Sequence, residues 1–460
     1  DAAGGGGIDS TLAVAAGSLR IGSIPITSRY SWLYGRYPFG NDPAAGGAHH
    51  FYDEARLLLG RTLPAGTKVR LQVDSSVPWC AIDLADFEIV PPPAEPPAGA
   101  LSIATFGADP SGKRESSGAI RRAIAAARHR GVPVWIPPGT FRLENHVIVD
   151  KVTILGAGPW HSVLRGNGAG FYGRKSTAVV LRDFAILGEV KERVDKAQLA
   201  GIGGAMGGGS RIENLWLQHH KVGLWFDGPM DGIVIRNLRI LDMMADGLNF
   251  RGGVTNATVE NSFVRNSGDD GLASWSHRIA NSNIVFRNNS IVAPTLANGI
   301  AIYGGHDILI ERNVIADTLT EGGGIHLGNR FDAVPLSGRI RIADNLVLRA
   351  GGFDPNWRFG VGALWFYALD APMDAKIEVE RLDLVDSTLP AIQFLGKPIS
   401  AVSFDGVSID GAGGAALQVR SAGSASFAHV TATGTRGGIQ LCNPDFTSDW
   451  KDAAPEPCER

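Results

Sequence analysis

A short segment recurs down the chain: "IENLWL" begins at Ile212, "IRNLRI" at Ile235, "VENSFV" at Val259 and "FRNNSI" at Phe286, in steps of 23, 24 and 27 residues. Further copies follow as "IERNVI" at Ile310, "IADNLV" at Ile342, "VERLDL" at Val379, "FDGVSI" at Phe404 and "FAHVTA" at Phe427. A second element recurs behind the first: "GLWF" at Gly223, "GLNF" at Gly247, "GLAS" at Gly271, "GIAI" at Gly299 and "GIHL" at Gly324. Both alternate apolar and polar residues at period two and are rich in Gly and Asn, which excludes helical solenoids. The steps are too short for a propeller blade of about 40 to 50 residues. Repeats of this kind cannot bury a face alone and must stack on their neighbours. The expected fold class is therefore all-β, a right-handed parallel β-helix.

Ahead of the repeats, "ESSGAIRRAIAAARHRG" reads as a helix with Ser116 or Ser117 as N-cap, Ile120 and Ile124 one turn apart, and Gly131 as the stop. It is expected to close the N-terminal end of the stack. The stretch "VPPPAEPPAGA" carries five prolines and reads as a stiff, extended connector. The boundaries are accordingly residues 1–90 for a first domain, 91–99 for the linker and 100–460 for the β-helix. In the first domain "TLAVAAG", "KVRLQVD" and "FEIVPPP" alternate between turn-forming clusters, as the strands of an N-terminal β-sandwich do.

Charge is nearly balanced, with 43 basic and 46 acidic residues and no long run of one sign. That argues against nucleic acid or an anionic membrane as partner. No apolar segment is long enough to span a bilayer and Asp1 is not preceded by Met, so a mature secreted protein, monomeric, is expected. Of three cysteines, Cys442 and Cys458 lie 16 residues apart in a Pro-rich tail and are expected to pair, leaving Cys80 free or buried.

The chemistry concentrates where the glycine elements begin. Asp246 precedes Gly247, Asp270 precedes Gly271 and Asn298 precedes Gly299, so stacking at the ordinary strand spacing makes these three one column, with Asp269 beside it. Three carboxylates would then converge on one face, where mutual repulsion raises at least one pKa. One protonated and one ionised carboxylate is the equipment of glycoside hydrolysis. "GDDG" is also a plausible solvated turn or structural calcium site, and both readings stay open.

If Leu248, Phe250, Leu272, Ile300 and Ile302 point inward, alternation sends Asn249, Trp275, Tyr303 and His326 outward beside the acids. Those four, with Asn298, His306 in "YGGHD" and Trp365 in "DPNWRFGVGALWFYALD", are the substrate-binding candidates. The histidines could equally be structural, and Trp357 and Trp365 could be packing. Asn214, Asn237, Asn261 and Asn288, inside the strand repeats, read as ladder-forming hydrogen-bonders rather than ligands.

At these residues the sequence resembles glycoside hydrolase family 87, the bacterial α-1,3-glucanases (mutanases) and mycodextranases, over roughly residues 100 to 442. The likeness runs through "FGADPSGKRESSGAIRRAIAAA", "VWIPPGTFRL", "ILGAGPWHSVL", "GLWFDGPMDG", "ADGLNFRGGVTN", "NSGDDGLASWS", "NGIAIYGGHD" and "GGGIHLGNRF". The first two indicate only the wider pectate-lyase-like β-helix superfamily; the later ones are more specific. The resemblance implies an inverting hydrolase with Asp246, Asp269 and Asp270 as its catalytic centre. By likeness to related inverting β-helix hydrolases, Asp269 is the general acid, and Asp246 and Asp270 hold and activate water. It further implies an α-1,3-glucan substrate and no catalytic metal or organic cofactor. The N-terminal region is similar to the ancillary modules of this family and either grips glucan or shields the end of the β-helix.

The rivals are a mycodextranase acting on alternating α-1,3 and α-1,4 glucan, a polysaccharide lyase, and a β-helix that binds carbohydrate without cutting it. A lyase would want a basic residue for proton abstraction, whereas this patch concentrates acids.

Overall fold

The computed structural model describes residues 9–30, 32–36, 42–50, 52–73, 77, 80–354, 358–450 and 458. The fold class is as expected: an all-β parallel β-helix with a small antiparallel sheet before it and, among the described residues, one α-helix. Trp357 lies outside the described residues.

Each coil contributes strands to three parallel faces. Met230–Arg236, Val254–Glu260 and Ser282–Arg287 lie on the first, Arg239–Met243, Phe263–Ser267 and Ser290–Val292 on the second, and Leu248–Arg251, Leu272–Trp275 and Ile300–Tyr303 on the third. On the third face Leu224, Leu248, Leu272, Ile300, Ile325 and Leu364 are register partners in succession, forming an inward apolar column. Phe226, Phe250 and Phe286 stack in the interior with ring centroids 5.8 and 6.1 Å apart.

The recurring glycines open the third face because neighbouring coils approach too closely there for a side chain. A Cβ on Gly247 would sit 2.4 Å from Gly271 O, and one on Gly299 would sit 2.3 Å from Ile315 Cγ2. The Asn repeats have a different cause from the one expected. Asn214, Asn237, Asn261 and Asn288 sit at the corner between the first and second faces with φ of 50° to 57°, a left-handed conformation that Asn tolerates. The buried amide ladder lies one residue further on, where Asn289 Nδ2 donates to Asn313 Oδ1 at 3.0 Å and Asn313 Nδ2 to Asn345 Oδ1 at 2.9 Å.

The helix Ser117–Arg130 covers the N-terminal end of the core with Ile120, Ala123, Ile124 and Ala127 and stops at Gly131, whose φ is 66°. Ser116 is its N-cap by position, but its hydroxyl accepts from Asp109 N instead of capping the helix. At the other end the Cys442–Cys458 disulfide is formed, and Cys80 is free and half-buried.

Before the β-helix, Asp9–Ala16 pairs antiparallel with Leu19–Thr27 and with Val69–Val73, and Trp32–Leu33 pairs with His49–His50. Among the described residues this is less than the expected sandwich, because "FEIVPPP" forms no strand. Pro91, Pro92 and Pro93 have no N–H to give a ladder, and Phe87 and Ile89 are exposed. The segment lies along the first coils instead, tied by Ala94 N to Ala157 O at 3.0 Å, His161 Nε2 to Pro91 O at 2.8 Å and the Glu88–Arg239 ion pair.

The N-terminal module also grips the middle of the β-helix. Asp242, almost fully buried, accepts from Glu54 N, Gln218 Nε2 and Asn266 Nδ2 at 3.1, 2.7 and 2.9 Å. Next to it His219 bonds Asp53 at 2.6 Å and stacks on Tyr30. Burial pushes the Asp242 carboxyl up to about 7. Tyr30 and Leu33 pack with Met244 and Leu296, which belong to the turns described next.

Candidate active site

The turns from the second face to the third carry the acids, and the glycine column fixes their stacking. Gly247 N donates to Asp270 O at 2.9 Å, and Gly271 N donates to Asn298 O at 2.8 Å. Asp246, Asp270 and Asn298 thus form the expected column on successive coils. Asp269 lies beside it, its Oδ1 accepting from Asp270 N at 3.0 Å. One oxygen from each of Asp246, Asp269 and Asp270 lies within 4.8 Å of the others.

The three carboxyls differ in surroundings. Asp246 is sealed in and receives Asn249 Nδ2 at 3.2 Å; burial, reinforced by the charges of Asp269 and Asp270, pushes it well above the usual carboxylate range. Asp270 is also sealed in. Burial and then the charge of Asp269 raise it to about 7, against the opposing pull of Asn298 and Tyr303. Those partners are Asn298 N and Nδ2 on Oδ1, at 3.0 and 2.9 Å, and the Tyr303 hydroxyl on Oδ2 at 3.0 Å. Asp269 is the one that solvent reaches, with 23% of its side chain exposed, and it pairs with Arg193 at 2.5 Å.

Among the described residues, Asp246, Asp269 and Asp270 are also one of two groups that could chelate a cation, the other being Asp53, His219 and Asp242 at the module junction. Asp242, Asp269 and Asp270 already accept from N–H, O–H or guanidinium donors.

The acids line a cavity of about 810 Å³ on the third face, within the range of small-ligand sites. Of the expected substrate-binding residues, Asn249, Trp275, Asn298, Tyr303 and Trp365 line it. Trp275 is half-exposed, its Nε1 donating to Phe331 O at 2.9 Å. Asn298 and Tyr303 are buried and point their donors at Asp270, and Trp365 is 1% exposed, so it presents no open ring to a sugar. His326 points outward as expected but is covered, stacked on Trp365 with centroids 3.8 Å apart and met edge-on by Tyr303. Burial drives its pKa far down, so it is neutral packing. His306 is not at the site: it begins a strand of the first face and pairs with Asp307.

One wall escaped the sequence reading. Residues 193–199 supply Arg193, Asp195 and Gln198 to the cavity, and Lys221 Nζ holds this segment through Asp195 O and Ala197 O at 2.8 and 2.6 Å. Its signal was the polar insertion "EVKERVDKAQ" between apolar repeat segments. Arg330, almost fully buried and lying over Phe331 and Tyr367, closes the opposite side.

Family comparison agrees with this architecture. A family profile described as α-1,3-glucanase catalytic domain D1 matches residues 1–90, and one described as catalytic domain D2 matches residues 113–418. The catalytic unit of the thermostable GH87 α-1,3-glucanase from Streptomyces thermodiastaticus strain HF3-3 is 39% identical, over 96% of this chain and 83% of that one, with a TM-score of 0.86. The Agl-KA catalytic domain is 28% identical, over 98% and 84%, with a TM-score of 0.87. A GH87 α-1,3-glucanase catalytic domain in complex with nigerose, 22% identical over 96% and 87%, shares the fold with a TM-score of 0.80. No curated protein sequence matches. With the D2 profile spanning most of the β-helix and a relative of 39% identity over nearly the whole chain, the protein belongs to the α-1,3-glucanase catalytic-domain family, glycoside hydrolase family 87.

Proposed function

We propose that the protein is a secreted, monomeric, endo-acting α-1,3-glucanase that hydrolyses insoluble α-glucan with inversion, using side chains alone. The observation that carries this reading is the convergence of three carboxyls with unlike environments on one cavity. In it Asp269, the solvent-reached carboxyl, is the general acid that protonates the leaving oxygen and regains its proton from water. Asp246 and Asp270 hold the attacking water, and the ionised one of the two takes its proton as the water oxygen bonds the anomeric carbon and the glycosidic bond breaks, later passing that proton to solvent. The nearest oxygens of Asp246 and Asp270 are close enough for one water to bond both at about 2.8 Å. The nearest oxygens of Asp269 and of either partner also lie within 4.8 Å, closer than the roughly 6.5 to 9.5 Å usual between the carboxyl groups of an inverting acid–base pair, so inversion is taken from the family resemblance rather than from distance. Alanine variants of GH87 catalytic domains solved with nigerose or tetrasaccharides replace aspartates 23 and then 1 residue apart. Asp246, Asp269 and Asp270 have that spacing.

The test is release of reducing ends from α-1,3-glucan, nigeran, dextran and polygalacturonate, with Asp269→Asn as control and the anomer of the first product read by NMR. Activity on α-1,3-glucan giving the β-anomer, lost in the variant, supports the reading. Preference for nigeran moves it to mycodextranase, an α-anomer overturns inversion, and binding without cleavage leaves a carbohydrate-binding β-helix.

A further inference from the structure

The orientation of Asp270 depends on Asn298, and what holds Asn298 comes from later coils. Its Oδ1 accepts from Gly323 N at 3.0 Å and from Trp365 Nε1 at 2.8 Å. A backbone N–H and an indole N–H can only donate. The amide therefore has one orientation, with Nδ2 toward Asp270 Oδ1, where Asn298 N already points. Two obligate donors on Oδ1 favour the ionised carboxyl, since a proton could sit only on Oδ2, against the Tyr303 hydroxyl.

We propose that Trp365 is a positioning residue: by fixing the Asn298 amide, its indole N–H keeps two donors on Oδ1 of Asp270, which favours Asp270 as the ionised, water-activating base and Asp246 as the carboxyl that keeps the proton. This rests on the reading above that Asp270 takes part in hydrolysis. It also accounts for an indole that lines the cavity yet is 1% exposed and stacked on His326. Asp246 has a weaker set of donors among the described contacts, one amide at 3.2 Å. The ionisable groups facing Asp270 are Asp269 on its own turn, Asp246 on the preceding coil and Tyr303 on the following one, with Arg193 beyond Asp269 and Arg330 beyond Tyr303. Removing the indole N–H alters none of them.

The test uses the full chain and soluble α-1,3-linked glucose oligosaccharides. Trp365→Phe, Asn298→Ala, the double variant and Asp270→Asn are compared by kcat, KM and the pH profile of kcat/KM, whose acid limb reports the free-enzyme base. Trp365→Phe is expected to lower kcat severalfold and move the acid limb up by at most about one pH unit, the worth of one hydrogen bond to a neutral amide, with KM within about twofold. The double variant should share the acid limb of Asn298→Ala, since both act through one amide. An acid limb unmoved in Trp365→Phe, or limb shifts that add in the double variant, would overturn the relay. If the phenylalanine does not fold, benzothienylalanine at position 365 keeps the bicycle and lacks the N–H, and the same two outcomes apply. Full activity in Asp270→Asn would instead overturn the underlying reading, whatever Trp365 does.

Discussion

Arg193 and Asp269 form an ion pair across the cavity, in which the arginine side chain is 4% exposed and the aspartate 23%. The pair joins the wall around residues 193–199 to the turn that carries the acids. Asp269→Asn should therefore do two things: abolish nearly all turnover and leave a buried guanidinium with Asp195, 3.1 Å from its Nε, as its remaining counter-charge. A fully sealed charge that loses all its partners costs about 3–5 kcal/mol; here Asp195 remains and solvent reaches the site, so about 1 kcal/mol is expected. Chemical denaturation of Asp269→Asn and of Arg193→Met/Asp269→Asn checks this. The double variant should recover the lost stability and none of the turnover, and equal stabilities for wild type and Asp269→Asn would refute the coupling.

Two sealed carboxyls in the triad make stability fall as pH rises. Asp246 lies well above the ordinary carboxylate range and Asp270 is raised to about 7, both chiefly by burial. A group raised on folding contributes fully below its unfolded pKa of about 4, and the contribution is lost as pH climbs through the folded value. For Asp270 that window is about pH 4 to 7; for Asp246 it opens at about pH 4 and extends further up. Asp246→Asn cannot ionise, so its Tm relative to wild type should climb from pH 4 to pH 8 while its activity stays lost. A difference constant across that range would show that Asp246 carries no such strain.

The column of acids was legible because register in a parallel stack follows from aligned repeats: Gly247, Gly271 and Gly299 place Asp246, Asp270 and Asn298 without any knowledge of loops. His306 misled because it follows Tyr303 by only three residues, yet the chain turns at Gly304 and Gly305 on to another face. The amide ladder was misplaced by one residue because Asn serves two needs at the same corner, a left-handed backbone at Asn288 and a buried hydrogen bond at Asn289. Arg193 and Glu54 were out of reach. Their partners Asp269 and Asp242 lie 76 and 188 residues away in sequence, and no repeat relates them.

The N-terminal module braces the turns that carry the acids. Leu33 is fully buried against Met244 and Leu296, which precede Asp246 and Asn298 by two residues. Leu33→Ala should cost about 2–5 kcal/mol and also lower kcat on soluble oligosaccharides severalfold, with little change in binding to insoluble glucan. Lost glucan binding at unchanged kcat would instead make the module a carbohydrate grip.

Gly271 tests the column itself. A Cβ there would meet Ile291 Cγ2 at 2.5 Å and Gly299 O at 2.7 Å, one inside the core and one on the next coil's backbone. The side chain can yield by a rotamer change, but the carbonyl cannot move without carrying Asn298 with it, since Gly271 N is bonded to Asn298 O. Gly271→Ala should therefore destabilise by about 1–3 kcal/mol, as overpacking does, and displace Asn298 relative to Asp270. The acid limb of kcat/KM should then shift up, in the same direction as for Trp365→Phe although no polar group has been removed. Thermal melts and pH profiles of the one variant separate the outcomes: a lowered Tm with an unmoved limb would mean that the acids hold their register independently of the glycine column.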